Sequence, residues 1–246
     1  MDYLRNTIEK TPTHTALAMS ASVSALGLAW LVNDYRAWVS FGTGGTPPNV
    51  QGYLKVTKFR LQRAWSGDSL TDVTKLSSQG PSYLPSPLPS RQGPAPRMMS
   101  RTLPQRQRPA PLADDISKRL HALPSKYVKA HPDLLILDKS ITEGRSTDAI
   151  YANPELPGRK QATHDKILGD EIAHVHPAEN SLHVWLTQAD ARKVIQAGWG
   201  QRFPLASLGI LDEGWVFVYA PRTMAEVDVV ETIVRAGIAH LTGISV

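Results

Sequence analysis

The chain has 246 residues, a net charge of +5 and no cysteine. It can form one sizeable core, or a core with appendages, but no disulfide, catalytic thiolate or cysteine-ligated metal centre. The positive charge is local, because residues 78–112 contain five arginines and no acidic residue. A nucleic-acid-binding fold would interleave basic residues with aromatic ones, and the sequence lacks this pattern. We therefore expect no nucleic-acid partner.

An uncharged run of 18 residues, TALAMSASVSALGLAWLV, occupies residues 15–32 and is just long enough to cross a bilayer. A cleavable signal peptide, a buried helix and a signal anchor are the three interpretations. We favour the anchor, because Trp30, Tyr35 and Trp38 would lie at the membrane interface and no clean cleavage site precedes Trp30. Residues 1–40 are therefore predicted to be a single-pass anchor in the endoplasmic reticulum or another endomembrane, with its orientation open.

Two segments follow this predicted anchor. Residues 41–77 are predicted to be a juxtamembrane segment, in which residues 53–65 alternate apolar and basic side chains, as in a strand or an interfacial helix. Residues 78–112 contain nine prolines together with Ser, Gln and Arg, a composition that buries too little apolar surface to fold. We expect a disordered Pro/Arg-rich linker that carries no chemistry, with its arginines attracted to anionic headgroups.

Residues 113–246 are predicted to form the folded domain that carries the chemistry. Thr187 and Thr223 each precede an acidic residue by three positions, which is the pattern that begins a helix. Helices are expected at residues 113–123, 187–198 and 223–241, and strands at residues 134–137, 149–152 and 215–220. The remainder of residues 140–170 has no clear pattern. The order of elements indicates an α+β fold with a small antiparallel or mixed sheet and packed helices.

The most informative segment is residues 170–187, DEIAHVHPAENSLHVWLT, where two alternating runs flank a turn sequence. If the turn closes at residues 178–179, His174 faces His183 and His176 faces Ser181. One face of this hairpin is then apolar and carries Ala173, Val175, Leu182, Val184 and Leu186. The opposite face carries His174, His176, Ser181, His183 and Trp185. Three imidazoles therefore converge on one patch, which is a candidate functional site.

Two chemistries fit this histidine patch. Three clustered imidazoles cannot all be protonated cheaply, so at least one is neutral near pH 7 and can act in acid–base catalysis. The same ligand types suit zinc, iron or nickel, with Glu171 or Glu179 as a fourth ligand. In the predicted register, however, Glu171 points to the apolar face and Glu179 lies at the turn.

A second candidate is the tight loop at residues 198–205, GWGQRFPL. The ring of Trp199 can pack against a planar ligand, and Arg202 can bind carboxylate or enolate oxygens in a bidentate manner. The alternative is a loop that is anchored by a buried tryptophan and a structural salt bridge.

Together, the motifs EIAHVH, SLHVWL, GWGQRFPL and YAPR resemble the fungal luciferase family. The resemblance is strong over residues 170–243 and weaker over the N-terminal run and residues 34–53. It implies an oxygenase that acts with O2 on a 3-hydroxy-α-pyrone of the hispidin type and releases CO2 through an endoperoxide-like intermediate. It also implies a membrane-associated enzyme without an organic cofactor, and it leaves a divalent metal at the three histidines open.

Roles for individual residues follow from this resemblance. His174, His176 and His183 would deprotonate the enol and direct the proton transfers. A second set would bind the planar anionic substrate: Trp185, Trp199, Gln201, Arg202, Phe203, Tyr219 and Arg222. Light-emitting members tend to carry His where this chain has Phe203, so the resemblance does not extend to light emission.

Two other functions compete with this one. The first is a metal-dependent hydrolase or isomerase that uses the three-histidine site. The second is a non-catalytic binding module tethered to a membrane. For the favoured function, the expected partners are a small aromatic or lactone substrate and the membrane.

Overall fold

The computed structural model of the chain describes residues 12–156 and 167–246. Within these residues the helices are α1 (Pro12–Phe41), α2 (Val50–Ser66), α3 (Asp114–Ala130), α4 (Gln188–Gln196), α5 (Pro204–Ser207) and α6 (Met224–Thr242). The strands are β1 (Leu135–Lys139), β2 (Asp148–Ala152), β3 (Glu171–Val175), β4 (Leu182–Trp185), β5 (Gly200–Arg202) and β6 (Trp215–Val218). The predicted α+β class is confirmed. The chain divides into two compact units, one that contains α1 and one that begins at Gly44.

The strands form one six-stranded antiparallel sheet in the order β1-β2-β3-β4-β6-β5. The hairpin of β3 and β4 has the predicted register, with His174 opposite His183. The backbone N–H of His176 donates to the carbonyl of Ser181 at 2.8 Å, which continues the pairing to the turn. Both faces of this hairpin are buried, because every residue of β3 and β4 is buried.

Helices α3 and α6 pack on the sheet, α3 against β1 and β2 and α6 against β3 and β4. Gly237 allows α6 to approach closely, since a Cβ atom at this position would lie 2.8 Å from Cγ1 of Val184. The predicted helix starts are confirmed, because the side chains of Thr187 and Thr223 accept hydrogen bonds from the third residue that follows each of them.

A β-bulge in β3 changes which side chains face the histidines. Ile150 pairs with Ala173, but the next residue, Tyr151, pairs with Glu171, so that Ile172 is the extra residue. A bulge interrupts the alternation of side chains along a strand. Glu171 therefore lies on the same side as His174, and the prediction that it points to the apolar face is wrong.

The proline-rich residues 78–112 pack against the sheet domain. Leu84 and Leu88 are buried in its hydrophobic core. The buried carboxylate of Asp190 accepts hydrogen bonds from Oγ of Ser82 at 2.5 Å and from the backbone N–H of Tyr83 at 2.7 Å. The expectation of a disordered linker is therefore wrong. Leu84, Leu88 and the buried acceptor Asp190 hold in place a segment whose composition alone predicts disorder.

The predicted juxtamembrane segment contains α2, so the helical interpretation of residues 53–65 is confirmed. The side chain of Asn49 accepts a hydrogen bond from the N–H of Gly52 at 2.9 Å and begins the helix. Gly67 follows its last residue with a φ of 62°, which is a conformation that favours glycine.

Helix α1 has 30 residues, and its residues 13–41 are long and apolar enough to cross a membrane. Large apolar side chains are exposed along its length, among them Leu17, Val23, Leu26, Leu28 and Trp30. Length and composition of this kind fit a membrane anchor and also a signal sequence.

Candidate active site

The three histidines of the β3–β4 hairpin lie together in the interior. His174, His176 and His183 are 1%, 0% and 3% exposed, respectively. Their ring centroids are separated by 5.1 Å, 5.4 Å and 4.9 Å. This convergence follows from the pairing of His174 with His183 and from the two-residue spacing between His174 and His176.

A buried carboxylate holds His174. Its Nδ1 atom lies 2.5 Å from Oε1 of Glu171, which is the residue that the bulge turns to this side. Ser140 and Tyr151 donate their hydroxyl protons to Glu171 at 3.0 Å and 2.9 Å, and so fix its orientation. Burial by itself lowers the pKa of His174, but the charges of Glu171 and of the neighbouring Glu143 outweigh burial and raise this pKa to about 9.

A second carboxylate holds His176 in the same way. Its Nδ1 atom lies 3.0 Å from Oε1 of Glu179 and 2.7 Å from Oγ of Ser181. Burial lowers the pKa of His176 well below its ordinary value, and the positive charge of Arg106 lowers it further. Burial also raises the pKa of Glu179, to about 7.

His183 is surrounded by aromatic rings and backbone. Its ring centroid lies 4.3 Å from that of Phe203 and 5.4 Å from that of Phe217. Burial, assisted by the charge of His174, lowers the pKa of His183 well below its ordinary value, so this imidazole is neutral near pH 7.

Two residues that the sequence did not indicate complete the cluster. Glu143, in the loop between β1 and β2, places Oε1 3.6 Å from Nε2 of His174 and 3.7 Å from Nε2 of His176. Arg106, from the proline-rich segment, forms a buried ion pair with Glu143 and places Nε 3.7 Å from Oε2 of Glu179. Neither residue lies in a periodic pattern, and tertiary packing alone brings them to the histidines.

Each histidine keeps one ring nitrogen without a hydrogen bond. Nε2 of His174, Nε2 of His176 and Nδ1 of His183 are buried and have no hydrogen-bond partner among residues 12–156 and 167–246. The three histidines can offer ligand atoms that all lie within 4.8 Å of one another. In a neutral imidazole such a nitrogen can accept a proton or bind a cation, and the nitrogen of His174 can do so once it has lost its proton.

An apolar cavity of about 210 Å³ ends at this cluster. His183, Glu143 and Arg106 form its polar wall, and Phe203 lies beside them. The rest of the wall is mainly apolar and includes Phe59, Leu103, Leu168, Leu205 and Leu211. The exposed Ile141 and Ile167 also line the cavity, which therefore opens to the surface.

Among the residues predicted to bind substrate, Phe203 lines this cavity, whereas Trp199 and Arg202 do not. Nη1 of Arg202 pairs with the carboxylate of Asp68 at 3.0 Å, and Nε1 of Trp199 donates to the carbonyl of Pro89 at 2.5 Å. The structure thus gives this loop a buried tryptophan and a salt bridge, which is the structural alternative to substrate binding.

The other predicted substrate-binding residues also lie away from the cavity wall. Trp185 stacks on Trp215, with the ring centroids 5.6 Å apart, and donates its indole N–H to Asp212. The hydroxyl of Tyr219 lies 3.5 Å from Oε1 of Gln201, and both side chains are buried. Arg222 is on the surface, where it pairs with Glu226.

A buried cluster of acids and histidines at the closed end of an apolar cavity, on an α+β sheet domain, defines a candidate enzyme. The model of the family described as Luciferase domain matches residues 169–237, which include both strands of the histidine hairpin.

Three curated relatives, all named luciferase, come from fungi. The chain is 33% identical over 237 residues to the one from Armillaria ostoyae, which covers 93% of this chain and 88% of the relative. It is 33% identical to that of Armillaria mellea, with 90% and 85% covered, and 31% identical to that of Neonothopanus nambi, with 89% and 84% covered. The chain belongs to the fungal luciferase family. No solved structure matches it.

Proposed function

We propose that the chain is a luciferase-like oxygenase that acts with O2 on a planar 3-hydroxy-α-pyrone of the hispidin type, or on a related phenolic lactone. Family membership supports the general class of activity. The observation that carries the proposal is the apolar cavity that ends at His183, Glu143 and Arg106. It combines space for a ring system with a few charged and polar groups in a mainly apolar wall.

The size and lining of the cavity favour a flat, mainly apolar ligand. A cavity of about 150 Å³ holds a benzene molecule, so the volume of about 210 Å³ is enough for one substituted ring, with further substituents extending towards the opening. Phe59 and Phe203 offer flat aromatic surfaces for such a ring. A strongly charged or highly hydrated substrate would lose its hydration without replacement on these walls.

The polar end of the cavity suits an acidic enol. His183 is neutral near pH 7 and has a free ring nitrogen, so it can accept the enol proton. The charges of Arg106 and Lys55, which also lines the cavity, would stabilise the resulting enolate. O2 then adds to the electron-rich ring and CO2 leaves, as the family resemblance implies.

Phe203 bears on the outcome of this reaction. Its ring contacts His183 at the cavity wall, at the position where light-emitting members tend to carry His. A phenyl ring cannot donate or accept a proton, so it removes a polar group from the place where the excited product would form. We therefore propose oxygenation without efficient light emission.

The test is turnover of 3-hydroxyhispidin by the purified full-length chain in air and under nitrogen, followed by mass spectrometry of the product, CO2 release and luminometry. We expect O2-dependent consumption of the substrate and little light, and we expect Phe203→His to increase the light emitted per turnover. His183→Ala tests the proposed proton acceptor. Its matched control is His131→Ala, which changes a histidine outside the cluster. Absence of turnover by both the wild type and Phe203→His would remove this substrate class.

We also propose that α1 anchors the chain in a membrane. A helix that exposes Leu26 and Trp30 to water is unfavourable, and a bilayer removes this cost. Fractionation of expressing cells tests the proposal: the full chain should remain with membranes in alkaline carbonate, and a chain without residues 1–43 should not. Recovery of a shortened, soluble chain that has lost its N-terminus would indicate a signal sequence instead.

A further inference from the structure

We propose that the histidine cluster is a binding site for one divalent first-row transition metal ion, with His174, His176, His183 and Glu143 as its ligands. The site uses the same side chains as the proposed oxygenase site, but it does not depend on the substrate. It assigns the fourth ligand to Glu143, which comes from a different part of the chain than the hairpin.

The orientation of the imidazoles supports a metal site. A metal-bound histidine usually donates its second ring N–H to a carboxylate or a backbone carbonyl, which fixes the ring and leaves the other nitrogen for the metal. Two of the three histidines have such a second contact, His174 with Glu171 and His176 with Glu179. The nitrogens that remain are buried and lack hydrogen bonds within the described part of the chain.

The distances are close to those that a metal requires. Ligand atoms about 2.1 Å from a tetrahedral metal lie about 3.4 Å from one another. Oε1 of Glu143 is 3.6 Å from Nε2 of His174 and 3.7 Å from Nε2 of His176, distances too long for hydrogen bonds but within a few tenths of an ångström of this value. The three histidine ligand atoms lie within 4.8 Å of one another, so shifts of up to about 1 Å would complete the coordination.

The charges around the cluster also favour a divalent cation. The side chains of Glu143, Glu171 and Glu179 are 7%, 0% and 1% exposed, and the buried Arg106 contacts two of them. With the three carboxylates ionised and the imidazoles neutral, as metal ligation requires, the formal charge of this group is −2. Buried charge that is not compensated is costly, and one divalent ion would balance it.

The ligand set narrows the class of ion. Three imidazoles and one carboxylate suit late first-row metals such as zinc or iron, whereas magnesium and calcium prefer sites made of oxygen ligands. Because His183 and Glu143 also line the cavity, an ion held here would be within reach of a ligand in it.

The test measures metal in the full-length protein, purified without chelators and without a polyhistidine tag after growth in medium that contains iron, zinc and manganese salts. We expect about one equivalent of a transition metal per chain by inductively coupled plasma mass spectrometry. His176→Ala and Glu143→Gln should each lower this content at least tenfold. Glu171→Gln, which removes the carboxylate behind His174 but none of the proposed ligands, should weaken metal affinity by roughly 10- to 100-fold. The control His131→Ala should retain the wild-type content.

A second measurement does not require any variant to fold. Dialysis against a chelator should lower the Tm of the wild-type protein, and return of the bound metal should restore it with a shift of about 5 °C or more. Wild-type protein with less than about a tenth of an equivalent of metal, together with no rise of Tm on addition of any of these ions, would overturn the metal site. Turnover of 3-hydroxyhispidin by that same metal-free protein would leave the proposed oxygenase function standing, with the histidines as proton acceptors.

Discussion

Two regions of the molecule carry side chains that are typical of active sites, and the structure treats them in opposite ways. In the histidine cluster, each ring has one buried nitrogen without a hydrogen-bond partner in the described part of the chain, and carboxylates fix the orientation of His174 and His176. In the loop that contains Trp199 and Arg202, the indole N–H donates to Pro89, Nη1 of Arg202 pairs with Asp68, and neither side chain lines the cavity. A buried polar atom that lacks a hydrogen-bond partner and lies beside a cavity therefore indicates an active site more strongly than the type of residue does.

The first prediction breaks the cluster and has the largest expected effect. His183→Ala should lower turnover by roughly 10²- to 10⁴-fold, because it removes the one cluster histidine that lines the cavity and its free nitrogen. Steady-state rates on 3-hydroxyhispidin measure this loss, with circular dichroism to verify folding.

Trp185→Phe provides the comparison for His183→Ala within the same strand. Trp185 does not line the cavity, so the variant should keep its turnover within about twofold while it loses some stability with the hydrogen bond to Asp212. A loss of turnover in Trp185→Phe as large as that in His183→Ala would mean that the catalytic centre extends beyond the cavity wall.

The second prediction concerns the loop that contains Trp199 and Arg202. Arg202→Ala leaves the carboxylate of Asp68 buried without its main partner, and the side chains of this pair are only 1% and 6% exposed. Breaking a buried ion pair typically costs about 3–5 kcal/mol, so the free energy of unfolding should fall by this amount while the folded fraction keeps its turnover. Denaturant unfolding and rates per folded molecule separate the two effects.

Lys75→Ala is the matched control for Arg202→Ala. Lys75 pairs with the same Asp68 at 3.2 Å, but its side chain is 55% exposed. An exposed pair contributes about 0–1 kcal/mol, so this variant should be close to the wild type. If Arg202→Ala instead weakened substrate binding without a change of stability, the loop would belong to the active site.

The third prediction concerns the proline-rich segment, residues 78–112, which contacts the histidine cluster through Arg106 and the Trp199 loop through Pro89. Asp190→Ala removes the buried acceptor of Ser82 and Tyr83 and should cost about 1–3 kcal/mol, since polar groups lose their partners. Limited proteolysis should then cut the chain within residues 78–91. On the same helix, Gln188 accepts from the N–H of Ser77 at an exposed position, so Gln188→Ala should leave the cleavage pattern unchanged. Equal cleavage in the two variants would mean that Asp190 does not hold the segment.

The hairpin shows why part of the site could be predicted from sequence. The alternation around His174 and His183 fixes their pairing locally, and the capping patterns at Thr187 and Thr223 fix the helix starts in the same way. The bulge at Ile172 could not be predicted from the hairpin, because it depends on the pairing of β3 with β2, and it moves Glu171 to the histidine side.

Loop residues set the limit of such prediction. Glu143 and Arg106 reach the cluster from segments without periodicity, and their positions depend on tertiary packing. The composition of the proline-rich segment predicts disorder, because it reflects only how many apolar residues the segment has. It does not show that Leu84, Leu88 and Asp190 meet in the core. The fold class and the histidine trio are therefore local information, whereas the contributions of Glu143 and Arg106 and the cavity are not.

The smallest expected effect belongs to the surface motif YAPR. Arg222 pairs with Glu226 one helical turn away and donates to the carbonyl of Gln92, and its side chain is 43% exposed. An exposed pair of this kind contributes about 0–1 kcal/mol. Arg222→Ala should therefore change the free energy of unfolding by no more than about 1 kcal/mol and leave turnover and KM within about twofold, as measured by denaturant unfolding and steady-state kinetics. A large rise in KM with unchanged stability would show that substrate reaches this surface, and it would move the binding site away from the histidine cavity towards the end of β6.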